Sequence, residues 1–189
     1  MTVEEYKEIL RNKLTEKRYH HSLCVAEEAV RLAEKYGCDT QKAFYAGLLH
    51  DILKDTPGDE QLQIMQELGI ILTEIERSAP KLWHAMAGSA YLRYTFDLSE
   101  DIVSAVRYHT TAKPDMTLLE KVLYLADYTS ADRDYDGVEE MRRAVEVSME
   151  AALRVALQFT VQDLSARNLP IHPDTFMAYN EIMLKKEEV

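Results

Sequence analysis

The chain has 189 residues, of which 47% are hydrophobic and 29% charged, a balance typical of one globular domain. Its net charge of −11 argues against a general nucleic-acid binder, because such proteins neutralise phosphates with a basic surface. The N-terminus lacks the basic and apolar regions of a signal peptide, and no apolar run approaches the roughly 20 residues of a membrane span. We therefore expect a cytoplasmic protein with a single domain over 1–189 and no membrane contact.

Helical periodicity runs along the whole sequence, because apolar residues recur at steps of three and four positions. No alternating strand pattern and no internal repeat interrupts it. The pattern predicts an all-α fold, a single helical bundle with helices over 3–16, 19–36, 39–54, 60–68, 72–78, 82–95, 99–109, 117–131, 138–166 and 174–186.

Several helix ends carry residues that favour capping. Gly37 suits a left-handed C-cap, Asp59 is expected to cap the fourth helix, and Thr117 with Glu120 fits a capping box. The third helix is nearly apolar on all sides, so it should be central and buried. In the long helix over 138–166, internal packing is predicted, with dimerisation as the alternative, for Met141, Val145, Met149, Leu153, Ala156 and Phe159.

Histidines and aspartates within apolar helices are the unusual feature of the sequence, which has no Gly-rich phosphate loop and no GxSxG motif. His50 and Asp51 lie in AGLLHDIL, and Asp127 lies in LEKVLYLADYTSA. A carboxylate buried there without a partner would cost several kcal/mol, and a metal ion would remove that cost. Taken alone, each of these residues is more often an ordinary hydrogen-bonded residue of the core or surface than a metal ligand. The same holds for His21, His84 and His109.

The order of these residues, H…HD…H…H…D, resembles that of the HD-domain phosphohydrolase superfamily. Those proteins are helical, and several helices contribute their metal ligands. Six segments are also similar to the YqeK family of bacterial symmetrical diadenosine tetraphosphate hydrolases: RYHHS, GLLHDILKD, WHAMAGS, YHTT, LYLADYTSADRDYDGV and NLPIHPDT. The resemblance implies cleavage of a dinucleoside tetraphosphate into two nucleoside diphosphates, with iron or a similar metal as cofactor.

With this resemblance, the predicted metal ligands are His21, His50, Asp51 and Asp127. Two histidines and two carboxylates suit iron, manganese, cobalt or zinc better than magnesium or calcium, and iron is expected. His84 and His109 are predicted to contact phosphate and to assist catalysis, with a second metal ion as the alternative. Protonation of the departing diphosphate by one of them is a further possibility.

The other predicted substrate contacts follow from their positions in the same motifs. Lys54 lies four residues after His50, and Arg133 follows the helix of Asp127, so both offer positive charge to phosphate. A solvated surface charge is the alternative for both, and the role of Arg18 stays open. The full set expected to bind substrate is His21, Asp51, Lys54, His84, His109, Thr110, Asp127, Arg133 and, as a wall against the nucleoside, Pro170, Ile171 and His172.

Two other functions are compatible with the same residues. A hydrolase of the same superfamily could cleave a guanosine alarmone or a deoxynucleoside triphosphate, because nothing in the sequence fixes the base. A nucleotide-binding sensor with slow turnover is the alternative from a different class. The expected partners are the dinucleoside polyphosphate and its diphosphate product, and a homodimer is possible.

Overall fold

The computed structural model describes residues 1–185, which form eleven α-helices. No strand occurs within that range, so the all-α prediction is confirmed. A short 3-10 helix over Pro80–Leu82 precedes the sixth α-helix, and residue 186, the predicted end of the last helix, lies outside the described residues. The helices are α1 (Val3–Lys13), α2 (Glu16–Tyr36), α3 (Thr40–Leu49), α4 (Gly58–Glu67), α5 (Glu74–Ser78), α6 (Trp83–Phe96), α7 (Glu100–Tyr108), α8 (Leu118–Thr129), α9 (Val138–Val147), α10 (Met149–Ala166) and α11 (Pro173–Leu184).

Helix α3 lies at the centre of the bundle, as its apolar sequence predicted. It packs against α2, α7 and α8, and Ala43, Ala46 and Leu48 are fully buried. Gly47 permits the closest approach, since a Cβ atom there would lie 2.7 Å from Cα of Ala26. The tight crossing of α2 and α3 brings the end of α3 beside the face of α2 that carries His21.

The boundary between α1 and α2 lies about three residues earlier than the periodicity predicted. Thr15 caps α2 by accepting a hydrogen bond from the N–H of Arg18. The N–H and the hydroxyl of Thr15 both donate to Oδ2 of Asp55, each at 2.8 Å. A tertiary contact that the local sequence pattern does not contain therefore helps to set this helix start.

Helix α3 ends at Leu49, which corrects the prediction of one helix over 39–54. The side chain of His50 supplies a physical reason, because its Nδ1 bonds to the carbonyl of Gly47 at 2.7 Å. A continuing helix would offer that carbonyl to the N–H of Asp51. The following residues form tight turns instead, with the N–H of Ile52 bonded to the carbonyl of Leu49 and that of Lys54 to Asp51. His50 and Asp51 thus lie in a turn.

The single helix predicted over 138–166 is two helices, α9 and α10, separated at Ser148. Its backbone is extended there (φ −163°, ψ 162°), and its hydroxyl caps α10 by accepting from the N–H of Ala151 at 3.0 Å. Internal packing of the apolar positions is confirmed. Phe159 packs against the rings of Tyr128 and Tyr135, and the other five positions are buried: Met141, Val145, Met149, Leu153 and Ala156.

The remaining predicted helix ends are partly confirmed. Gly37 adopts the left-handed conformation after α2, and Thr117 with Glu120 forms the capping box of α8. The prediction that Asp59 caps the fourth helix is wrong, because Pro57 occupies the N-cap and Asp59 lies in the first turn of α4. Among residues 1–185, no helix combines the length and the apolar character that crossing a membrane would require.

Candidate active site

Six of the predicted site residues converge where the central helices meet. Helices α2 and α8 contribute His21 and Asp127, and the turn after α3 contributes His50 and Asp51. The other two residues, His84 and His109, lie at the start of α6 and directly after α7. Five of these side chains are buried, and that of Asp127 is 17% exposed, so the charged groups lie mostly out of water.

The rings of His50 and His109 are held in the same way, each at the end of a helix. Nδ1 of His50 is 2.7 Å from the carbonyl of Gly47, and Nδ1 of His109 is 2.7 Å from that of Val106. A carbonyl oxygen only accepts, so Nδ1 must carry the proton in both rings. In the neutral form of each ring, Nε2 then carries no proton and can bind a metal ion.

His21 is oriented by a carboxylate instead of a carbonyl. Its Nδ1 lies 2.8 Å from Oδ2 of Asp132, and Oδ1 of Asp132 accepts from the hydroxyl of Ser130 at 2.8 Å. The opposite nitrogen, Nε2, lies 3.0 Å from Oδ1 of Asp127. Asp132 is not among the residues predicted from the sequence, and its place in the acidic loop after Asp127 is the only sequence signal for it.

The donor set of this half of the cluster fits a cation. Nε2 of His50 lies 3.4 Å from Oδ2 of Asp51 and 3.8 Å from Oδ1 of Asp127. Within the described part of the chain, Nε2 of His50 is buried without a hydrogen-bond partner. The ligand atoms of His21, His50 and Asp127 lie within 4.8 Å of one another. Imidazole nitrogens and carboxylate oxygens that converge in a buried site are stabilised by a cation, and imidazole with carboxylate suits a transition metal.

The second half of the cluster faces the other oxygen of Asp51. Oδ1 of Asp51 lies 3.1 Å from Nε2 of His84 and 3.6 Å from Nε2 of His109, and the two nitrogens are 3.3 Å apart. Nζ of Lys54 is 3.1 Å from Nε2 of His84, so a positive side chain already lies beside this ring. Burial lowers the pKa of His84 to about 4 and also lowers the pKa of Lys54. His84 is therefore neutral near pH 7.

Two arginines neutralise the buried carboxylates. Nη1 of Arg18 donates to Oδ2 of Asp51 at 2.8 Å, and Arg133 donates to both the side chain and the backbone carbonyl of Asp127. Burial favours the protonated form of Asp127, but Arg133 and His21 outweigh it and hold the pKa of this carboxyl well below its usual range. The carboxylate is ionised at neutral pH, as a metal ligand must be.

The predicted nucleoside wall precedes α11, whose first turn contacts the loop that follows His109. The hydroxyl of Thr175 donates to the carbonyl of Thr111 at 2.7 Å, which places the start of α11 beside Thr110. Within residues 1–185, the buried hydroxyl oxygen of Thr110 has no hydrogen-bond partner. In the wall itself, Pro170 is exposed and Ile171 half-buried.

His172, by contrast, is buried and contacts protein groups. Its Nδ1 accepts a hydrogen bond from the N–H of Asp174 at 3.2 Å, and its Nε2 lies 3.5 Å from Oε1 of Glu76. The nearby Trp83 uses its ring N–H to bond the carbonyl of Glu76 at 2.7 Å. Glu76 is a second residue of this region that was not predicted from the sequence. It lies in a short helix of mostly polar residues, where an acidic side chain is not unusual.

Comparisons with known proteins identify a domain family and relatives that match most of the chain. A model of the HD domain matches residues 18–132. The chain is 41% identical to a symmetrical bis(5'-nucleosyl)-tetraphosphatase of Bacillus subtilis, over 95% of this chain and 97% of that protein. It is 31% identical to a protein of the same name from Staphylococcus aureus, over 99% and 100% of the two chains.

A solved structure has the same fold over nearly the whole length. The crystal structure of a predicted HD superfamily hydrolase involved in NAD metabolism from Clostridium acetobutylicum superposes with a TM-score of 0.94 and 35% identity. The superposition covers 98% of this chain and 99% of the other. The match of more than half of the chain to the domain model, together with these relatives, shows that the chain belongs to the HD-domain family.

Proposed function

We propose that this protein hydrolyses diadenosine tetraphosphate symmetrically into two molecules of ADP, with a metal ion bound by His21, His50, Asp51 and Asp127. The observation that carries the proposal is the convergence of the Nε2 atoms of His21 and His50 on the carboxylates of Asp51 and Asp127. The chain that builds this cluster is related over nearly its full length to proteins named for symmetrical cleavage of such substrates.

The metal, for which iron is the first choice and manganese, cobalt or zinc are alternatives, would polarise a phosphoryl group and lower the pKa of the attacking water. The residues of the chain prepare the site for that chemistry. Asp132 and the carbonyl of Gly47 hold protons on Nδ1 of His21 and His50, which leaves each Nε2 facing Asp127. The ligands are thereby oriented before the cation binds.

Positive side chains next to the cluster are suited to the phosphate chain. Lys54 and Arg133 carry ammonium and guanidinium groups beside Asp51 and Asp127, and the unpartnered hydroxyl of Thr110 offers one further donor. Symmetric hydrolysis breaks one P–O bond between the second and third phosphates. The attacking water supplies a hydroxyl to one ADP, and the bridging oxygen leaves with the other. Lys54 stabilises the charge that develops on that leaving diphosphate.

We assign His84 and His109 to phosphate contact and not to a second cation. The ammonium of Lys54 lies 3.1 Å from Nε2 of His84 and 3.9 Å from Oδ1 of Asp51, so it would repel a second metal ion there. Metal analysis of the purified protein tests the assignment. One equivalent per chain is expected, whereas two equivalents, with one lost in His84→Ala, would overturn it.

The substrate assignment is tested by incubating the iron- or manganese-loaded protein with diadenosine tetraphosphate and separating the nucleotides by chromatography. ADP alone is expected, and Asp127→Asn is expected to abolish turnover and metal retention together. A panel with a guanosine alarmone and deoxynucleoside triphosphates separates the related hydrolase functions. Binding of the tetraphosphate without turnover under any metal would favour the sensor and overturn the proposal.

A further inference from the structure

Glu76 connects three segments around the candidate site although it contacts none of the six clustered residues directly in the described interactions. It lies in α5, is 5% exposed, and uses its two carboxylate oxygens for separate contacts. Oε2 accepts hydrogen bonds from the N–H and the hydroxyl of Thr73, at 2.8 and 2.9 Å, and so completes the capping box of α5. Oε1 lies 2.9 Å from Nη2 of Arg107 and 3.5 Å from Nε2 of His172.

The protonation of His172 follows from its other contact. Nδ1 accepts from the backbone N–H of Asp174, so the proton of the neutral ring must lie on Nε2, the nitrogen that faces Glu76. The backbone carbonyl of Glu76 meanwhile accepts from the ring N–H of Trp83, the residue next to His84. Glu76 thus links the segment that carries His172 to α7 and to the start of α6.

The segment before His172 depends on few attachments. It contains Pro170 and is followed by Pro173, and proline has no N–H to donate. Besides the internal hydrogen bonds of α11, residues 169–175 have two backbone attachments: the N–H of Leu169 donates to the carbonyl of Leu164, and the carbonyl of His172 accepts from the N–H of Phe176. Their side-chain attachments are the contacts of His172 with Glu76 and Asp174 and the bond of Thr175 to Thr111. Among these side-chain attachments, the contact of His172 with Oε1 of Glu76 joins the segment to α5, and the bond of Thr175 joins the start of α11 to the loop after His109.

We propose that Glu76 is a positioning residue for nucleoside recognition, which acts through His172 to hold the Pro170–Ile171 wall against the active-site loop. The proposal rests on the proposed function, since it assumes that this wall contacts the nucleoside. It also changes the expected role of His172 from a substrate contact to the link between the wall and Glu76.

The informative variant is Glu76→Gln. A glutamine keeps one carbonyl oxygen for the capping box, which accepts Glu or Gln at this position. Its amide NH₂ cannot accept from Arg107 or His172, so the two contacts of Oε1 are lost while the capping box is kept. We expect Kd for ADP and KM for diadenosine tetraphosphate to rise about tenfold, with kcat changed less than about threefold. Inhibition by inorganic tripolyphosphate, a probe without a nucleoside, is expected to stay the same.

Two further variants separate positioning from general stability. Glu120→Gln is a matched control, because Glu120 is 2% exposed and completes the capping box of α8 with Thr117. It should leave the ratio of ADP to tripolyphosphate affinity unchanged. His172→Leu should reproduce the loss seen in Glu76→Gln, and His172→Gln, which retains an N–H donor, should recover part of the affinity for ADP.

The outcomes are distinguishable from failure of the proposed function. Turnover of diadenosine tetraphosphate by the unmodified protein tests the function, whereas selective loss of ADP binding tests the role of Glu76. Unchanged ADP affinity in both Glu76→Gln and His172→Leu would overturn the inference. Equal weakening of ADP and tripolyphosphate would overturn it as well, because that result indicates a structural role.

Discussion

Oδ2 of Asp132 lies 2.8 Å from Nδ1 of His21, and the opposite nitrogen of the same ring lies 3.0 Å from Asp127. The carboxylate fixes both the proton and the direction of the imidazole. A residue that orients a metal ligand typically contributes 10- to 100-fold to metal affinity, and His21 is a ligand in the proposed site. We expect Asp132→Ala to weaken metal binding by about that factor, measured by competition with a chelator.

Two further variants make this test more specific. Asp132→Asn keeps an acceptor oxygen but loses the charge, so its metal affinity should lie between those of the unmodified protein and Asp132→Ala. Asp134, an exposed residue of the same loop, provides the control, and Asp134→Ala should bind metal normally. Unaltered affinity in Asp132→Ala would show that His21 needs no orienting partner.

The crossing of α2 and α3 predicts a large difference between two glycine substitutions. A Cβ at position 47 would lie 2.7 Å from Cα of Ala26, so Gly47→Ala must push the two helices apart. Overpacking of this kind costs about 1–3 kcal/mol. A Cβ at Gly88 would lie 3.6 Å from Cγ2 of Ile52, an ordinary contact, and Gly88→Ala should be neutral or stabilising by up to about 1 kcal/mol. Urea unfolding measures both, and equal stabilities would contradict the packing account.

Lys54 is predicted to act in catalysis without holding the metal. Removal of its charge in Lys54→Met should lower kcat for diadenosine tetraphosphate by about 10²- to 10³-fold, the usual loss for one group that stabilises developing charge. Metal content, measured by elemental analysis, should be unchanged. Lys17→Met, at an exposed position of α2, is the control. Loss of metal together with activity in Lys54→Met would place Lys54 in the metal site instead.

Glu76 predicts a specific dependence of stability on pH. Burial raises the pKa of this carboxyl, but hydrogen bonds from Thr73 and the charge of Arg107 outweigh burial, and the pKa lies below its ordinary value of 4.5. A lowered pKa in the folded state stabilises the fold above pH 4.5, and this stability is lost as pH falls through the folded pKa.

The measurement compares the free energy of unfolding of the unmodified protein with that of Glu76→Gln. The advantage of the unmodified protein should be full near about pH 6 and should shrink as pH falls below about 4.5. Glu76→Asp, which keeps the charge on a shorter side chain, should retain the same direction of pH dependence. A difference that stays constant over this range would contradict a lowered pKa for Glu76.

The periodicity of the sequence predicted the fold class and the central place of α3, because both follow from which residues are apolar. Helix ends were predicted less well, because contacts of individual side chains determine where several helices begin or end. Thr15 starts α2 with help from Asp55, and the ring of His50 takes a carbonyl of α3. Both contacts depend on side-chain positions that a periodic pattern does not encode. The break at Ser148 has a local signal, a capping serine, that the strong apolar pattern on both sides obscured.

The candidate site likewise contains residues that the sequence predicted and residues that only the structure shows. Residues such as His50 and Asp127 stand out because polar groups in apolar helices are rare. The six members of the cluster could be named only because their order along the chain also resembles that of the HD-domain superfamily. Asp132 and Glu76 lie in a polar loop and a short polar helix, where acidic residues are common. Their importance comes from the partner that the fold places opposite them, His21 in one case and His172 in the other.

Hydrolysis in water enriched in ¹⁸O, followed by mass spectrometry of the products, tests the central claim most directly. Symmetric attack, at the cluster of His21, His50, Asp51 and Asp127, on one of the two middle phosphates of diadenosine tetraphosphate predicts ADP as the sole product. One of the two ADP molecules from each event should carry the label on its terminal phosphate. ATP and AMP among the products, or turnover that survives in Asp127→Asn, would contradict the account.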